Sequence, residues 1–230
     1  MAMTTEDFEP NLENLDVGIL DSNLDREIKI VVLGEANAGK TSMIQLFFNE
    51  ENPKYYLNQE IPPTIGAEIR VFDYKNAKVG VFDLAGQELN RWLNPSSGEL
   101  FYETDAVIVC FNLDHDLKKR NYEEIVDGLH KTLEINAPNA KLIILLNKYD
   151  EFVKTRKGSL QKANKIKHKI ETLYNDPTYI TSLISNYYPL LRMKLEHLLK
   201  ALPINPPSID FNETTMMEDL PQKKKKNHII

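Results

Sequence analysis

Apolar runs and helically spaced apolar positions alternate through the middle of this chain. Glu27 to Leu33, Asp105 to Leu113 and Lys141 to Leu146 are near-continuous apolar runs of strand length, the pattern of strands buried on both faces of a parallel sheet. Ala67 to Tyr74 and Lys78 to Leu84 form a strand pair joined at Lys75-Asn76-Ala77, and Tyr179 to Ser182 is a short last strand. Helical spacing falls at about Lys40 to Asn49, at Leu117 to Ile135 through Tyr122, Ile125, Val126, Leu129 and Leu133, at Leu160 to Tyr174, and at Tyr187 to Leu202. Strands alternating with helices predict an α/β fold with a doubly wound, mostly parallel sheet, and the 67–84 pair supplies one antiparallel edge strand. Leu89 to Glu103, with Asn94-Pro95-Ser96-Ser97-Gly98 at its centre, reads as irregular.

The flanks differ from this body. Residues 1–25 carry seven acids and no Lys or Arg, so they hold −7 of the chain's net −6 and leave +1 for the rest. A nearly neutral body argues against a general nucleic-acid binder. The acidic segment spaces Phe8, Leu12 and Leu15 helically. It reads either as a solvated extension or as an amphipathic arm that packs on the body or a partner. After Leu202, Pro203, Pro206, Pro207 and Pro221 break any helix, and Lys223 to Lys226 are offset by Asp210, Glu213, Glu218 and Asp219. The expected organisation is an extension at 1–25, one domain at 26–202 and a disordered tail at 203–230. Cys110, the single cysteine, lies inside an apolar run, so a reduced core thiol and a cytoplasmic setting are expected. No apolar run approaches the roughly 18 residues of a membrane span, Ala2 stands where myristoylation needs glycine, and no terminal cysteine invites prenylation. Any membrane contact is expected to be peripheral, through partners.

The first apolar run feeds Gly34-Glu35-Ala36-Asn37-Ala38-Gly39-Lys40-Thr41, which satisfies G-x-x-x-x-G-K-[ST] between a strand and a helix. Glycine permits the tight turn that brings the backbone N–H groups of Asn37, Ala38, Gly39, Lys40, Thr41 and Ser42 onto phosphate oxygens, and the helix start turns its positive dipole end toward the same anion. Lys40 would reach the β- and γ-phosphates, and the Thr41 hydroxyl would ligate Mg²⁺. The plain alternative is a glycine-rich strand-to-helix turn that binds nothing. The long polar stretch from Glu50 to Pro63 ends at Thr64-Ile65-Gly66, and Asp83 closes a strand at the sheet edge where open α/β folds place ligands.

Gly34-x-x-x-x-Gly39-Lys40-Thr41, Pro63-Thr64-Ile65-Gly66, Asp83-x-x-Gly86-Gln87 and Asn147-Lys148-x-Asp150 stand in the order, and at the strand ends, that resemble the Ras-like small GTPases over residues 26–202. The resemblance implies a six-stranded P-loop NTPase sheet of the Ras-like G-domain type. It implies a Mg²⁺-dependent GTP-binding switch that slowly hydrolyses GTP to GDP, regulating signalling or trafficking. It assigns Lys40, Thr64 and Gln87 to catalysis. Thr64 would complete the Mg²⁺ shell with Thr41, Asp83 would hold the ion through water, Gly86 would donate its N–H to the γ-phosphate, and Gln87 would orient the attacking water. Asp150 would select guanine by accepting from N1–H and N2–H₂, which adenine lacks as a pair. Asn147 would brace the base loop, the Lys148 stem would cover one face of the base, and Tyr55 or Tyr56 would stack on the other. The loop Thr181-Ser182-Leu183 would bring backbone at Ser182 and Leu183 to the guanine O6, with leucine where alanine is usual. Implied partners are effectors, exchange factors and activating proteins, with a homo- or heterodimer left open.

The branch is open. Gly39-Lys40-Thr41-Ser42-Met43, the long segment between Asp150 and Thr181, and Tyr179-Ile180-Thr181-Ser182-Leu183 are similar to the Rag/Gtr GTPases, whereas Arf-like and Rab-like proteins share Pro63-Thr64-Ile65-Gly66. Ala36 stands where many Ras and Rab proteins have glycine, implying slow intrinsic hydrolysis and an activator that approaches differently. Trp92 is expected either on an effector platform or in the core. Lys162, Lys165 and Lys169 read as a solvated helix face. Two rival functions remain, a nucleotide-locked scaffold without turnover and a P-loop kinase or ATPase.

Overall fold

The computed structural model describes residues 26–49, 61–74, 77–113, 122–155, 158–184 and 188–202. The acidic segment, the Pro-containing tail, Tyr55, Tyr56 and the start of the helix expected from Leu117 lie outside these residues. The sheet contains β1 (Arg26–Gly34), β2 (Ala67–Tyr74), β3 (Ala77–Leu84), β4 (Ala106–Asn112), β5 (Lys141–Asn147) and β6 (Thr178–Ile180). Its order is β2-β3-β1-β4-β5-β6, parallel throughout except for antiparallel β2. The strands with continuous apolar runs are thus central, and the alternating β2 takes an edge, leaving Ile69 and Val71 partly in solvent.

Six α-helices cover the two faces among the described residues: α1 (Lys40–Phe48), α2 (Leu89–Trp92), α3 (Tyr122–Asn136), α4 (Tyr149–Thr155), α5 (Ser159–Tyr174) and α6 (Tyr188–Ala201). Because successive strand residues point to opposite faces, Ile28, Ile30 and Val32 pack with Met43, Ile44 and Phe47 of α1 and Leu191, Leu195 and Leu198 of α6. Val31 and Leu33 enter the opposite layer with Leu89, Trp92, Phe101, Leu129, Leu133, Ala163 and Ile170. Every β4 residue is buried. Phe48 stacks on Phe72 at 4.7 Å and Phe47 on Tyr74 at 5.3 Å between ring centroids, which fastens the edge strand to α1.

Two stretches depart from the sequence expectation. Leu89 to Glu103 is not irregular: it contains α2 and a 3₁₀ segment at Pro95–Phe101. Leu89, Trp92 and Phe101 are buried there, so tertiary anchors stabilise turns whose own residues favour none. Helix α4 directly follows Lys148, held by buried Tyr149 and Phe152. Trp92 belongs to the core rather than a platform, being 6% exposed with its indole N–H donated to the Ala85 carbonyl at 3.0 Å. Lys162, Lys165 and Lys169 do lie exposed on α5, although Lys169 reaches across to Glu123.

Candidate functional site

The parallel topology delivers the loops after β1, β3, β5 and β6 to one edge of the sheet. After β1 the chain turns through Gly39 (φ +84) into α1. Lys40, 6% exposed, folds back so that Nζ donates to the Gly34 carbonyl at 3.2 Å and the Glu35 carbonyl at 2.8 Å. Burial pushes its pKa below the usual lysine value, while the fields of Cys110, Asp83 and Glu35 oppose the fall. An ammonium held against carbonyls without a full counter-charge is suited to an anion placed over the loop.

Three oxygens from separate segments meet beside it. Thr41 Oγ1 donates to Asp83 Oδ2 at 2.5 Å, Thr41 Oγ1 and Thr64 Oγ1 are 3.1 Å apart, and Thr64 Oγ1 donates to Asp83 Oδ2 at 3.4 Å. Asp83 is fully buried, and its Oδ1 has no hydrogen-bond partner among the described residues. Burial raises the Asp83 pKa, and the Thr41 hydroxyl and Lys40 pull it back. Two hydroxyls and a carboxylate, with an orphaned buried oxygen, make a hard-oxygen set that fits a Mg²⁺ ion retaining several waters. The set holds no thiolate, thioether or imidazole, so it does not resemble a soft-metal centre.

Gly86 opens a 3₁₀ turn to Glu88 and lies directly on the phosphate loop. A Cβ at Gly86 would fall 2.3 Å from Ala36 N and 2.4 Å from the Glu35 carbonyl carbon, so only glycine seats the segment this closely. Gln87 sits beside it with its side chain exposed to solvent.

The residues that follow β5 and β6 are held more deeply. Asn147, 3% exposed, donates Nδ2–H to the Ala38 carbonyl at 2.8 Å and accepts from Thr181 Oγ1 at 3.2 Å, joining the loops after β1, β5 and β6. Nδ2 occupies space beside Gly39 that a Cβ would contest at 2.7 Å. Lys148, in the left-handed region at φ +61, stretches its Nζ to Asn37 Oδ1 at 3.2 Å and to Glu151 at 3.6 Å. Asp150 Oδ1 accepts from the buried Ser182 hydroxyl at 2.6 Å, and Leu183 is buried alongside. A groove between α3 and α6, lined by His130, Asp176, Tyr179 and His197, lies at the other end of β5 and takes no part.

The structure therefore brings together Asn37, Ala38, Gly39, Lys40, Thr41, Thr64, Asp83, Gly86, Asn147, Lys148, Asp150, Ser182 and Leu183, with Ser42 in the first turn of α1. Three supporting residues, Asn112, Glu35 and Glu88, have no role assigned from the sequence. Asn112, at the end of β4, donates its N–H to Glu35 Oε2 at 3.4 Å and its Nδ2–H to the Asn37 carbonyl at 3.5 Å. Glu88 accepts from the Gly66 N–H, while Thr181, already expected in the loop that meets the guanine O6, uses its hydroxyl to brace Asn147. The one available signal for Asn112 and Glu35 is a polar residue closing an apolar run.

The model of the ADP-ribosylation factor family matches residues 17–199, most of the chain. The chain belongs to that family, and with it to the Ras-like small GTPases. Human Ras-related protein Rab-19 is 30% identical over 134 residues, 56% of this chain and 57% of the relative. Human Rho-related GTP-binding protein RhoB is 30% identical over 122 residues, covering 53% and 58%. The ADP-ribosylation factor-like protein alp41 of Schizosaccharomyces pombe is 30% identical over 129 residues, covering 55% and 62%. The chain spans about 57% of the length of the first of these curated relatives. Family membership accords with the sheet order and the single antiparallel edge, and no helix among the described residues is long and apolar enough to cross a membrane.

Proposed function

We propose that the chain is a Mg²⁺-dependent GTP-binding switch that hydrolyses GTP slowly, with its G domain at residues 26–202. The observation that carries the reading is the convergence of Thr41, Thr64 and Asp83 from three segments beside Lys40. Thr41, Thr64 and Asp83 would hold a Mg²⁺ ion, which would supply charge neutralisation to the phosphate groups. The chain's own groups do the rest. Backbone N–H groups from Asn37 to Ser42 and the Lys40 ammonium bind the phosphates, and Gly86 donates to the γ-phosphate. Gln87 turns in from solvent to orient the attacking water, since phosphoryl transfer needs positioning and charge stabilisation more than covalent help.

Asp150, steered by Ser182, accepts from the guanine N1–H and N2–H₂. Asn147 fixes the base loop to the phosphate loop, Lys148 covers the base, and the Leu183 backbone approaches O6. Effectors, exchange factors and activating proteins read the loops around Thr64 and Gln87. We place the protein in the cytoplasm, reaching membranes through partners.

Single-turnover GTP hydrolysis with Mg²⁺ tests this, alongside Gln87→Leu and Asp150→Asn. Slow hydrolysis should disappear in Gln87→Leu with binding retained. Asp150→Asn should lose at least about 100-fold in GTP affinity, because two hydrogen bonds to a charged acceptor at about 1.5–3 kcal/mol each are disturbed. Preference for ATP over GTP in the wild-type protein would overturn the reading. Tight GTP binding without turnover would establish the locked scaffold instead.

A further inference from the structure

The residue between the Thr64 loop and β2 is held at both of its backbone polar atoms by the segment that carries Gln87. The Gly66 carbonyl accepts from Ala85 N–H at 2.8 Å, and Gly66 N–H donates to Glu88 Oε1 at 3.0 Å. These two bonds bracket Gly86 and Gln87. The first continues the antiparallel pairing in which Ala67 faces Leu84, and a lone bond at the end of a ladder frays readily. The second is of another kind, a carboxylate accepting a backbone N–H, and a charged acceptor makes such a bond stronger than a neutral pair.

Glu88 is itself positioned. Arg91 Nη1 donates to Glu88 Oε2 at 2.7 Å, and the Arg91 guanidinium lies 5.0 Å over the Trp92 ring. The Trp92 indole N–H donates to Ala85 O at 3.0 Å, so the contacts close a circuit through Gly66, Glu88, Arg91, Trp92 and Ala85. The circuit is anchored in the core by Trp92 and Leu89 and open to solvent at Arg91.

We infer that Glu88 is a positioning residue that ties the Thr64 loop to the Gln87 loop, so that the two order together rather than one at a time. The inference rests on the switch reading above. Thr64 lies two residues before Gly66 and Gln87 one residue before Glu88, so each is within a single flexible step of the tether. A ligand that holds Thr64 inward thereby holds Gly86 on the phosphate loop with Gln87 beside it, and the coupling free energy is shared reciprocally between the two loops.

The test compares wild type, Glu88→Ala and Glu88→Gln. In nucleotide-free protein, amide hydrogen exchange at Gly66 should accelerate about 10-fold in Glu88→Ala and return most of the way in Glu88→Gln, which keeps an acceptor oxygen. In binding, the affinity ratio of a non-hydrolysable GTP analogue to GDP should fall about 3- to 10-fold in Glu88→Ala with GDP affinity itself unchanged. A merely structural role would lower both affinities together. Unchanged Gly66 exchange, or an unchanged ratio, in a folded Glu88→Ala protein would overturn the tether. If wild type binds no guanine nucleotide, the functional reading fails while the exchange measurement still decides the tether.

Discussion

Removing the Asn147 side chain measures how firmly the three loops of the base side are joined. Asn147→Ala deletes the donor to the Ala38 carbonyl at 2.8 Å and the acceptor for Thr181 Oγ1 at 3.2 Å. Ala38 is 0% and Thr181 2% exposed, so neither partner can turn to bulk water. Each buried polar group left without a partner costs about 1–3 kcal/mol. A water entering the vacated, polar-lined space would recover part of that, which sets the expected loss at about 3 kcal/mol. For a domain of this size that is a fall in Tm of about 6–12 °C. The assay is thermal and urea unfolding of nucleotide-free protein, so that no bound ligand contributes. Thr181→Val, which keeps shape and removes one hydroxyl, should cost only about 1 kcal/mol. The double variant should be less destabilised than the sum by about 1 kcal/mol, because both singles break the same bond. A Tm within 2 °C of wild type for Asn147→Ala, or full additivity with Thr181→Val, would refute the three-loop brace.

Two further outcomes follow from close contacts elsewhere. Gly86→Ala places a Cβ 2.3 Å from Ala36 N, and overpacking of that kind costs about 1–3 kcal/mol, so competition binding should show the GTP analogue losing about 5- to 150-fold relative to GDP; equal losses for both would refute the seating. Lys29 is buried, donates to the Tyr102 carbonyl at 2.7 Å and lies 4.8 Å over Phe82, and burial lowers its pKa from 10.5 to about 8 against the opposing fields of Glu103 and Asp105. Between pH 8 and 10.5 the unfolded chain therefore binds more protons at this residue than the folded one, and stability rises with pH by about 3 kcal/mol from this group. Lys29→Met should remove that rise, so its advantage over wild type in urea unfolding shrinks from pH 7 to pH 10. Parallel pH profiles for the two proteins would refute the assignment.

The strands and longer helices were legible because each is long enough to show its period. Ile28 to Leu33 and Leu142 to Leu146 are buried on both faces, and the pattern says so without help from context. Helix α2 and helix α4, with four and seven residues, are too short for that. Each is defined by one buried pair, Leu89 with Trp92 and Tyr149 with Phe152, and a single i, i+3 pair is indistinguishable from chance in sequence. The site divides the same way. Gly39, Lys40, Thr41, Thr64, Asp83 and Asn147 stand in motifs at the ends of recognisable strands. The contacts of Asn112 with Glu35 and of Ser182 with Asp150 span 77 and 32 residues, and only the sheet order creates them. Ser182 was expected to offer backbone to the base; its side chain proves to be spoken for by Asp150.

The two sides of the site are built to different stabilities, and under the proposed function this difference decides which loops move. On the base side Asn147, Thr181, Ser182 and Leu183 are all buried and the first three are hydrogen-bonded across loops, so opening that region exposes several paired polar groups at once. On the phosphate side Pro62, Pro63 and Gln87 are exposed, Ile65 is 89% exposed, and the Thr64 loop is fastened by Thr64 Oγ1 and the two backbone bonds of Gly66. Local opening draws on the elements with fewest buried contacts. A ligand that contributes a few kcal/mol through one terminal phosphate is enough to shift an equilibrium of that size, and far too little to reorganise the base side. Under the function proposed above, guanine recognition would therefore stay constant while the Thr64 and Gln87 loops report on the γ-phosphate.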